Sequence, residues 1–258
     1  MADQGRLTAI LGPLRLIWPS IKFHFNALKE TFRRDGLAAL THPRQIRDAA
    51  IANLFITTSD GFVAYENTTV VPSLMRAAHG KILELGPGSG NQVHRYDLSR
   101  VDTIYGVEPS SGYADAIAAK LKNLNLQDKY KLLQCGIEDS NILRSEEITE
   151  GSLDTVLSIQ VLCSVKDTKS VMREVWKLLK PGGSFVFWEH VKSKDSTMAV
   201  AQACWNPVWS AFVGCHMNRD IMADILAAGE WETPGDIEVA DDPYTCLPRI
   251  WGVLKKKA

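Results

Sequence analysis

The sequence lacks a long apolar run, and it lacks an excess of charge of either sign. Its 29 lysines and arginines stand against 30 aspartates and glutamates, a formal net charge of −1, so no broad field would gather nucleic acid. No Lys/Arg block is interleaved with aromatics, and Lys255, Lys256 and Lys257 read as a solvated stretch. The five cysteines (Cys135, Cys163, Cys204, Cys215, Cys246) include no C-x-x-C pair and no zinc-finger spacing, so the sequence points to no metal site. An odd, unpaired set fits a reducing compartment, hence the cytoplasm, with thiols serving as small hydrophobes. Cys163 is expected to pack at a strand end rather than act as a nucleophile. Gly-x-Ser-x-Gly elbows, phosphate loops, internal repeats and linkers rich enough to mark a further domain are missing.

Residues 7–18 are apolar, but Pro13, Arg15 and Pro19 interrupt them, and a spanning helix needs ~20 apolar residues. No small-residue cleavage site of a secretory signal follows. The segment reads either as a lid packed over a site, the preferred reading, or as an interfacial helix in peripheral contact with a membrane. Residues 21–32 carry Phe25, Leu28 and Phe32 at helical spacing, with Lys22, Lys29, Arg33 and Arg34 around them. Residues 44–65 read as a helix with Ile46, Ala50 and Leu54 on one side. Ser59-Asp60-Gly61 is expected to be a turn, and residues 62–78 a helix or loop in which Phe62 and Tyr65, like Phe55 before them, are pocket candidates.

What is there is an ordinary globular composition, 45% hydrophobic and 23% charged over 258 residues, enough for a substantial core. The informative stretch is residues 81–91, K-I-L-E-L-G-P-G-S-G-N. A short apolar strand (Ile82, Leu83, Leu85) runs straight into Gly86, Gly88 and Gly90, where bare backbone N–H groups can approach a ligand. The spacing is G-x-G-x-G rather than the G-x-G-x-x-G of dinucleotide folds. Glu84, two positions before the first glycine, would repel a pyrophosphate and hold an ammonium or sulfonium group. Residues 101–107 read as a second strand ending at Glu108, 18 positions after Gly90. That is close to the ~20 expected for an acidic residue on ribose hydroxyls.

The pattern E-x-G-x-G-x-G resembles motif I of class I methyltransferases, which bind S-adenosylmethionine (SAM). Residues 154–159, after a G-S-L-D lead, match the fourth strand of that superfamily. Leu178-Leu179-Lys180-Pro181-Gly182-Gly183, followed by residues 184–191, resembles its L-x-P-G-G turn before strand five. The resemblance implies an α/β, Rossmann-like sheet of seven strands, mostly parallel with an antiparallel edge strand and helices on both faces. A helical extension (1–78) would precede a SAM-binding domain (79–258). Ligands in such sheets lie beyond the carboxyl ends of the strands. The implied cofactor residues are Glu84, Gly86, Gly88, Gly90, Asn91, Glu108, Pro109, Ile159 and Gln160. Glu138 is expected on the adenine amino group, and Asp139 either there or as a helix cap.

Between these motifs, residues 91–98 are expected to start the first crossover helix. Ser110 would cap the next, with Tyr113, Ile117, Leu121 and Leu124 on one face. Residues 130–134 read as a third strand. A helix from Asp167 or Thr168 would carry Val171, Val175, Leu178 and Leu179 and end at Gly182-Gly183. Residues 218–228 read as a helix, and residues 237–240 and 250–254 as the last strands, paired antiparallel.

From the glycine turn onward the sequence looks like the methyltransferase-like protein 7 branch, whose members methylate small thiols. The pieces carrying this are V-L-C-S-V (161–165), L-K-P-G-G-S-F-V-F-W-E-H-V (179–191), W-N-P-V-W (205–209) and G-C-x-x-x-R (214–219). The branch carries a continuous hydrophobic N-terminal anchor, from which this sequence departs. The expected reaction is methyl transfer from SAM to O, S or N of a small, fairly apolar molecule. A methyltransferase-fold cyclase that binds SAM without transferring methyl is the alternative, and a non-enzymatic SAM-sensing subunit a third. His190, at the tip of strand five, is the candidate base for an acceptor proton. A structural histidine bonded to backbone is the competing reading. Glu189 would point to the other face by strand alternation. Trp188, Trp205, Trp209 and His216 are the candidate substrate contacts.

Overall fold

A computed structural model describes residues 2–242 and 244–258. Seven strands form one sheet in the order β3-β2-β1-β4-β5-β7-β6. They are β1 (Gly80–Leu85), β2 (Val101–Val107), β3 (Tyr130–Leu133), β4 (Leu153–Ile159), β5 (Leu179–His190), β6 (Glu238–Val239) and β7 (Arg249–Lys255). The first five pair in parallel, and β7 runs antiparallel between β5 and β6. This is the doubly covered, mostly parallel sheet that the motifs imply.

Alternation explains why these strands read as unbroken apolar runs, since a parallel sheet buried on both faces needs large side chains at odd and even positions. Ile82, Ile104, Val186 and Trp188 face α4 (Val71–Met75) and α5 (Ala114–Asn123). Leu83, Tyr105, Phe185 and Phe187 face α6 (Ser140–Ser145), α7 (Thr168–Leu178) and α9 (Ile221–Leu226).

Three helices precede the sheet: α1 (Ala2–Leu11), α2 (Leu14–Asp35) and α3 (Pro43–Glu66). Ile17 of α2 packs with Met198, Ala201, Trp209 and Val213 on or beside α8 (Ser196–Phe212). Pro19 does not break α2. It forfeits one backbone bond near the helix start, and the Ser20 hydroxyl donates across to the Phe212 carbonyl, anchoring the next residue.

Local expectation fails in three further places. Ser59-Asp60-Gly61 is no turn but the interior of α3, where the Ser59 hydroxyl donates to Asn91 Oδ1 at 2.6 Å. Tertiary anchoring there outweighs the ~1 kcal/mol cost of a helical glycine. Residues 91–98 form only one 3-10 turn, Val93–Arg95, because Arg95 and Tyr96 are drawn to buried carboxylates rather than to a helix axis. Finally, α7 ends at Leu178, and β5 begins with the bulged Lys180–Gly183 lead that lets Thr155 pair with Ser184.

Two of those carboxylates sit deep. Glu66 accepts from Arg95 Nη1 at 2.8 Å and Gln92 Nε2 at 2.9 Å, both ion-pair side chains being almost fully enclosed. Glu84 accepts from Tyr96 at 2.9 Å and Tyr130 at 2.8 Å. Burial pushes the Glu84 carboxyl up from an ordinary 4.5 to about 7, against the pull of the two phenols.

Arg95→Ala strips Glu66 of its counter-charge in a dry setting, and should cost about 3–5 kcal/mol in urea-unfolding experiments. Glu84 holds its proton more tightly folded than unfolded, so its contribution to stability is full below about pH 4.5 and is lost as pH rises through about 7. Melting temperature of the unliganded protein should therefore fall across that window, and fall less steeply in Glu84→Gln.

Candidate active site

A cavity of about 1010 Å³ opens at the carboxyl ends of β1, β2, β4 and β5. Its roof is Leu16 from α2 and Ile51, Phe55 and Phe62 from α3, with Trp209 and Val213 closing one side. The volume is ample for one nucleoside-sized ligand with an acceptor beside it.

The glycine corner forms one end. Gly86, Gly88 and Gly90 have φ values of +50°, +53° and +75°, the left-handed region that side chains resist. At Gly88 a Cβ would point into open space, its nearest neighbour Tyr113 Cε1 at 3.9 Å, so a side chain there would fill the ligand's place. Gly90 serves packing instead and does not line the cavity: a Cβ would lie 3.0 Å from Ile117 Cγ1. Glu108 at the tip of β2 braces the corner, accepting from the Gly88 N–H at 3.1 Å and the Ser110 N–H at 2.9 Å. Burial raises its pKa, opposed by those two bonds. Pro109 and Glu138 line the same end. Asp139 is the helix cap, accepting from the Ile142 N–H, which leaves Glu138 to the cavity. Asn91 reaches the wall with its Oδ1 already held by Ser59 and Ser89.

The other end is built on the turn after β4. Glu189 does point away from His190, as alternation requires, and its Oε1 accepts from Ser158 Oγ (2.7 Å), Val161 N (2.8 Å) and Leu162 N (3.1 Å). Burial lifts this carboxyl to about 7. Gln160 takes φ +60°, strain of the kind found at functional sites. Its amide bridges Glu66 Oε1 (3.4 Å) and Arg249 Nη2 (2.9 Å). Arg249 stacks over the Trp188 indole, 4.6 Å from the ring centroid.

Beyond that turn lies a sulfur-rich corner. His190 Nε2 is 3.6 Å from Cys215 Sγ, which also accepts from Trp209 Nε1 at 3.0 Å. Cys163 completes it, and all three residues line the cavity. The neighbouring Cys163 thiol pulls Cys215 below the ordinary cysteine value, with help from His190 and against burial, while that same neighbour and burial push Cys163 up.

The structure thus gathers Glu84, Gly86, Gly88, Asn91, Glu108, Pro109, Glu138, Ile159, Gln160, His190 and Trp209 around one space. Trp188 is not there: it is a core residue, 2% exposed, packed against Tyr65 and Arg249. Trp205 turns to the N-terminal helices and donates to the Ile10 carbonyl at 2.7 Å. His216 lies outside the cavity wall beside Asn206. Tyr65 is half exposed rather than in the pocket. Sequence reasoning missed Glu66, Arg249, Cys163 and Cys215 as wall residues, along with Tyr113, whose phenol burial and Glu108 push upward. A lone arginine leading an apolar last strand was the one available signal for Arg249.

Residues 83–187 match a methyltransferase domain family. The thiol S-methyltransferase TMT1B of Rattus norvegicus is 31% identical over 176 residues, 65% of this chain and 66% of the relative. The thiol S-methyltransferase TMT1A of Homo sapiens is 32% identical over 143 residues, 54% of this chain and 55% of the relative. The chain therefore spans between about half and two thirds of the length of these relatives. Among solved structures, an O-methyltransferase family protein from Burkholderia thailandensis superposes with a TM-score of 0.58 at 15% identity, covering 97% of this chain and 71% of that one. The [4+2]-cyclase SpnF superposes with a TM-score of 0.57, also at 15% identity, covering 75% and 81%. Identities that low speak for the fold alone. Residues 83–187 thus carry a methyltransferase domain, on a sheet with an open glycine corner that fits S-adenosylmethionine, and over part of its length the chain is similar to the thiol S-methyltransferases.

Proposed function

We propose that the protein transfers the methyl group of SAM to the sulfur of a small, fairly apolar thiol. The observation that carries this is one continuous cavity joining the glycine corner to the Cys163–His190–Cys215 corner beneath an apolar roof. Gly86 and Gly88 would admit the ligand to the backbone, with Glu108 to hold its ribose and Glu138 its adenine, since all four line the same end of the cavity. SAM supplies an electrophilic methyl on a sulfonium. The protein's part is then to hold the acceptor in line and at contact distance. Leu16, Phe55, Phe62 and Trp209 would exclude water and favour an apolar acceptor over a hydrated one. The acceptor's proton must leave before or during transfer, and His190 is the ionisable nitrogen placed to receive it.

Offered SAM and a panel of alkyl and aryl thiols, the protein should release methyl thioether and S-adenosylhomocysteine in equal amounts. Transfer to oxygen or nitrogen alone would overturn the sulfur assignment, and an isomer of unchanged mass with SAM retained would establish a cyclase instead. Glu108→Ala should weaken SAM binding by roughly tenfold or more, about 1.4 kcal/mol. His190→Ala should leave that affinity intact and slow turnover.

We also propose peripheral membrane contact through α2. Leu14, Trp18, Ile21, Phe25, Leu28 and Phe32 form one exposed apolar stripe, while the buried positions are Ile17, Ser20, Ala27 and Thr31, so most of the large apolar residues of the helix meet solvent. Arg15, Lys22, Lys29, Arg33 and Arg34 lie on the same helix, as befits an anionic surface. Among the described residues no helix is long and apolar enough to cross a membrane. The protein should co-sediment with phosphatidylserine vesicles, less so at high salt, and a Trp18→Ser/Phe25→Ser variant should remain in the supernatant.

A further inference from the structure

The geometry points to a site for a thiophilic divalent ion, Zn²⁺ being the simplest, held by Cys163, His190 and Cys215 with its fourth position open to the cavity. One ligand atom from each residue lies within 4.8 Å of the other two, and all three are enclosed. The His190 Nε2 to Cys215 Sγ separation is 3.6 Å. Bond lengths of about 2.3 Å to sulfur and 2.0 Å to nitrogen place tetrahedral ligands about 3.5–3.8 Å apart, so little movement is needed to close on an ion. Two thiolates and one imidazole, with the fourth position left free, is the ligand set of an open catalytic zinc site rather than a closed structural one.

The surroundings hold these residues in place independently of any ion. The Cys163 turn is pinned from below by the Glu189 carboxylate on Val161 N and Leu162 N. The loop of Cys215 is tied to it by the His216 N–H donating to the Cys163 carbonyl at 2.9 Å. Arg219 spans the same gap, donating from Nη1 to the Leu162 carbonyl at 3.0 Å. Trp209 gives Cys215 Sγ an N–H donor at 3.0 Å, the outer-shell bond that steadies a metal thiolate. His190 is 3% exposed, and its Nδ1 has no hydrogen-bond partner among the described residues. Nε2 is the nitrogen that faces the sulfurs and is the ligand atom, while the Nδ1–H would take a water as its partner. Each of V-L-C-S-V, E-H-V and G-C-x-x-x-R contributes one of the three residues.

Resting on the thiol reading above, the site also supplies an activation step. With the ion bound, His190 serves as a ligand in place of the base role given to it above, and an acceptor R–SH taking the fourth position loses its proton to solvent and becomes a bound R–S⁻. A sulfur lone pair then forms the S–CH₃ bond while the sulfonium C–S bond breaks, its electron pair remaining on the cofactor sulfur. The products are neutral R–S–CH₃, S-adenosylhomocysteine and the released proton, and a neutral thioether leaves the ion readily.

Co²⁺ titration of the reduced, full-length protein tests the site without reference to activity. One-to-one uptake with tetrahedral visible bands and a sulfur-to-metal charge-transfer band is expected, displaced by Zn²⁺. Cys215→Ser and His190→Ala should each weaken uptake by roughly a hundredfold or more, whereas Cys204→Ser, at an exposed position, should bind as the unmodified chain does. No stoichiometric uptake, or uptake that survives loss of Cys215, overturns the site. Should either variant fail to fold, X-ray absorption on the loaded unmodified protein decides, two sulfurs and one nitrogen supporting the site and any other set refuting it. Chelation should abolish thiol methylation and Zn²⁺ restore it. Methylation that persists in the ion-free protein overturns the activation step. An ion site without any thiol methylation supports the site and counts against the thiol reading instead.

Discussion

One buried carboxylate oxygen organises the acceptor half of this molecule. Glu189 Oε1 gathers the Ser158 hydroxyl and the N–H groups of Val161 and Leu162, and so dictates how the chain leaves β4. A chain held there must pass through the strained Gln160 and then present Cys163 toward His190. Taking a carboxyl this deep costs solvation, which is why its proton is held up to about pH 7, and three donors on one oxygen offset much of that cost. Replace the group with an apolar one, and the Val161 and Leu162 N–H groups lose their acceptor, leaving the turn to its carbonyl bonds with Arg219 and His216.

The cofactor half rests on a second pair of acidic residues with divided duties. Glu84 looks from the sequence like the group that greets a cationic ligand. In the fold its Oε2 is committed to Tyr96 and Tyr130, so it anchors the strand beneath the corner as much as it borders the cavity. Glu108 sets the corner's shape through Gly88 and Ser110 while remaining at the wall. Glu66, delivered by α3, links the helical roof to the sheet through Arg95, Gln92 and Gln160. The roof is therefore joined to the site by a buried charge pair, not merely laid over it.

The helices ahead of the sheet divide their faces in an unusual way. Leu16, Phe55 and Phe62 close the cavity, and Ile17 joins the apolar cluster on α8, while the large residues of the outer stripe of α2 meet solvent. One short segment thus serves as lid and as exposed apolar surface together, which is how the two readings of residues 7–18 come to be compatible.

The sequence by itself determined the sheet, the glycine corner and the cofactor. Short-range facts carry those: strands buried on both faces must be apolar runs, and bare backbone before a ligand must be glycine at fixed spacing. The crossover after Gly90 departs from local propensity because Arg95 and Tyr96 bond to Glu66 and Glu84, residues 59–61 stay helical because Ser59 bonds to Asn91, and α7 ends early because β5 pairs with β4. Trp188 and Trp205 show why an aromatic cannot be assigned to a pocket from composition: burying a large ring against Arg249 or α1 satisfies the same chemistry. Only the tertiary structure decided the acceptor corner. Cys163 and Cys215 come from two separated loops and His190 from the end of β5, and no spacing along a chain reports that the Glu189 carboxylate and the His216 N–H will hold two sulfurs and an imidazole close together.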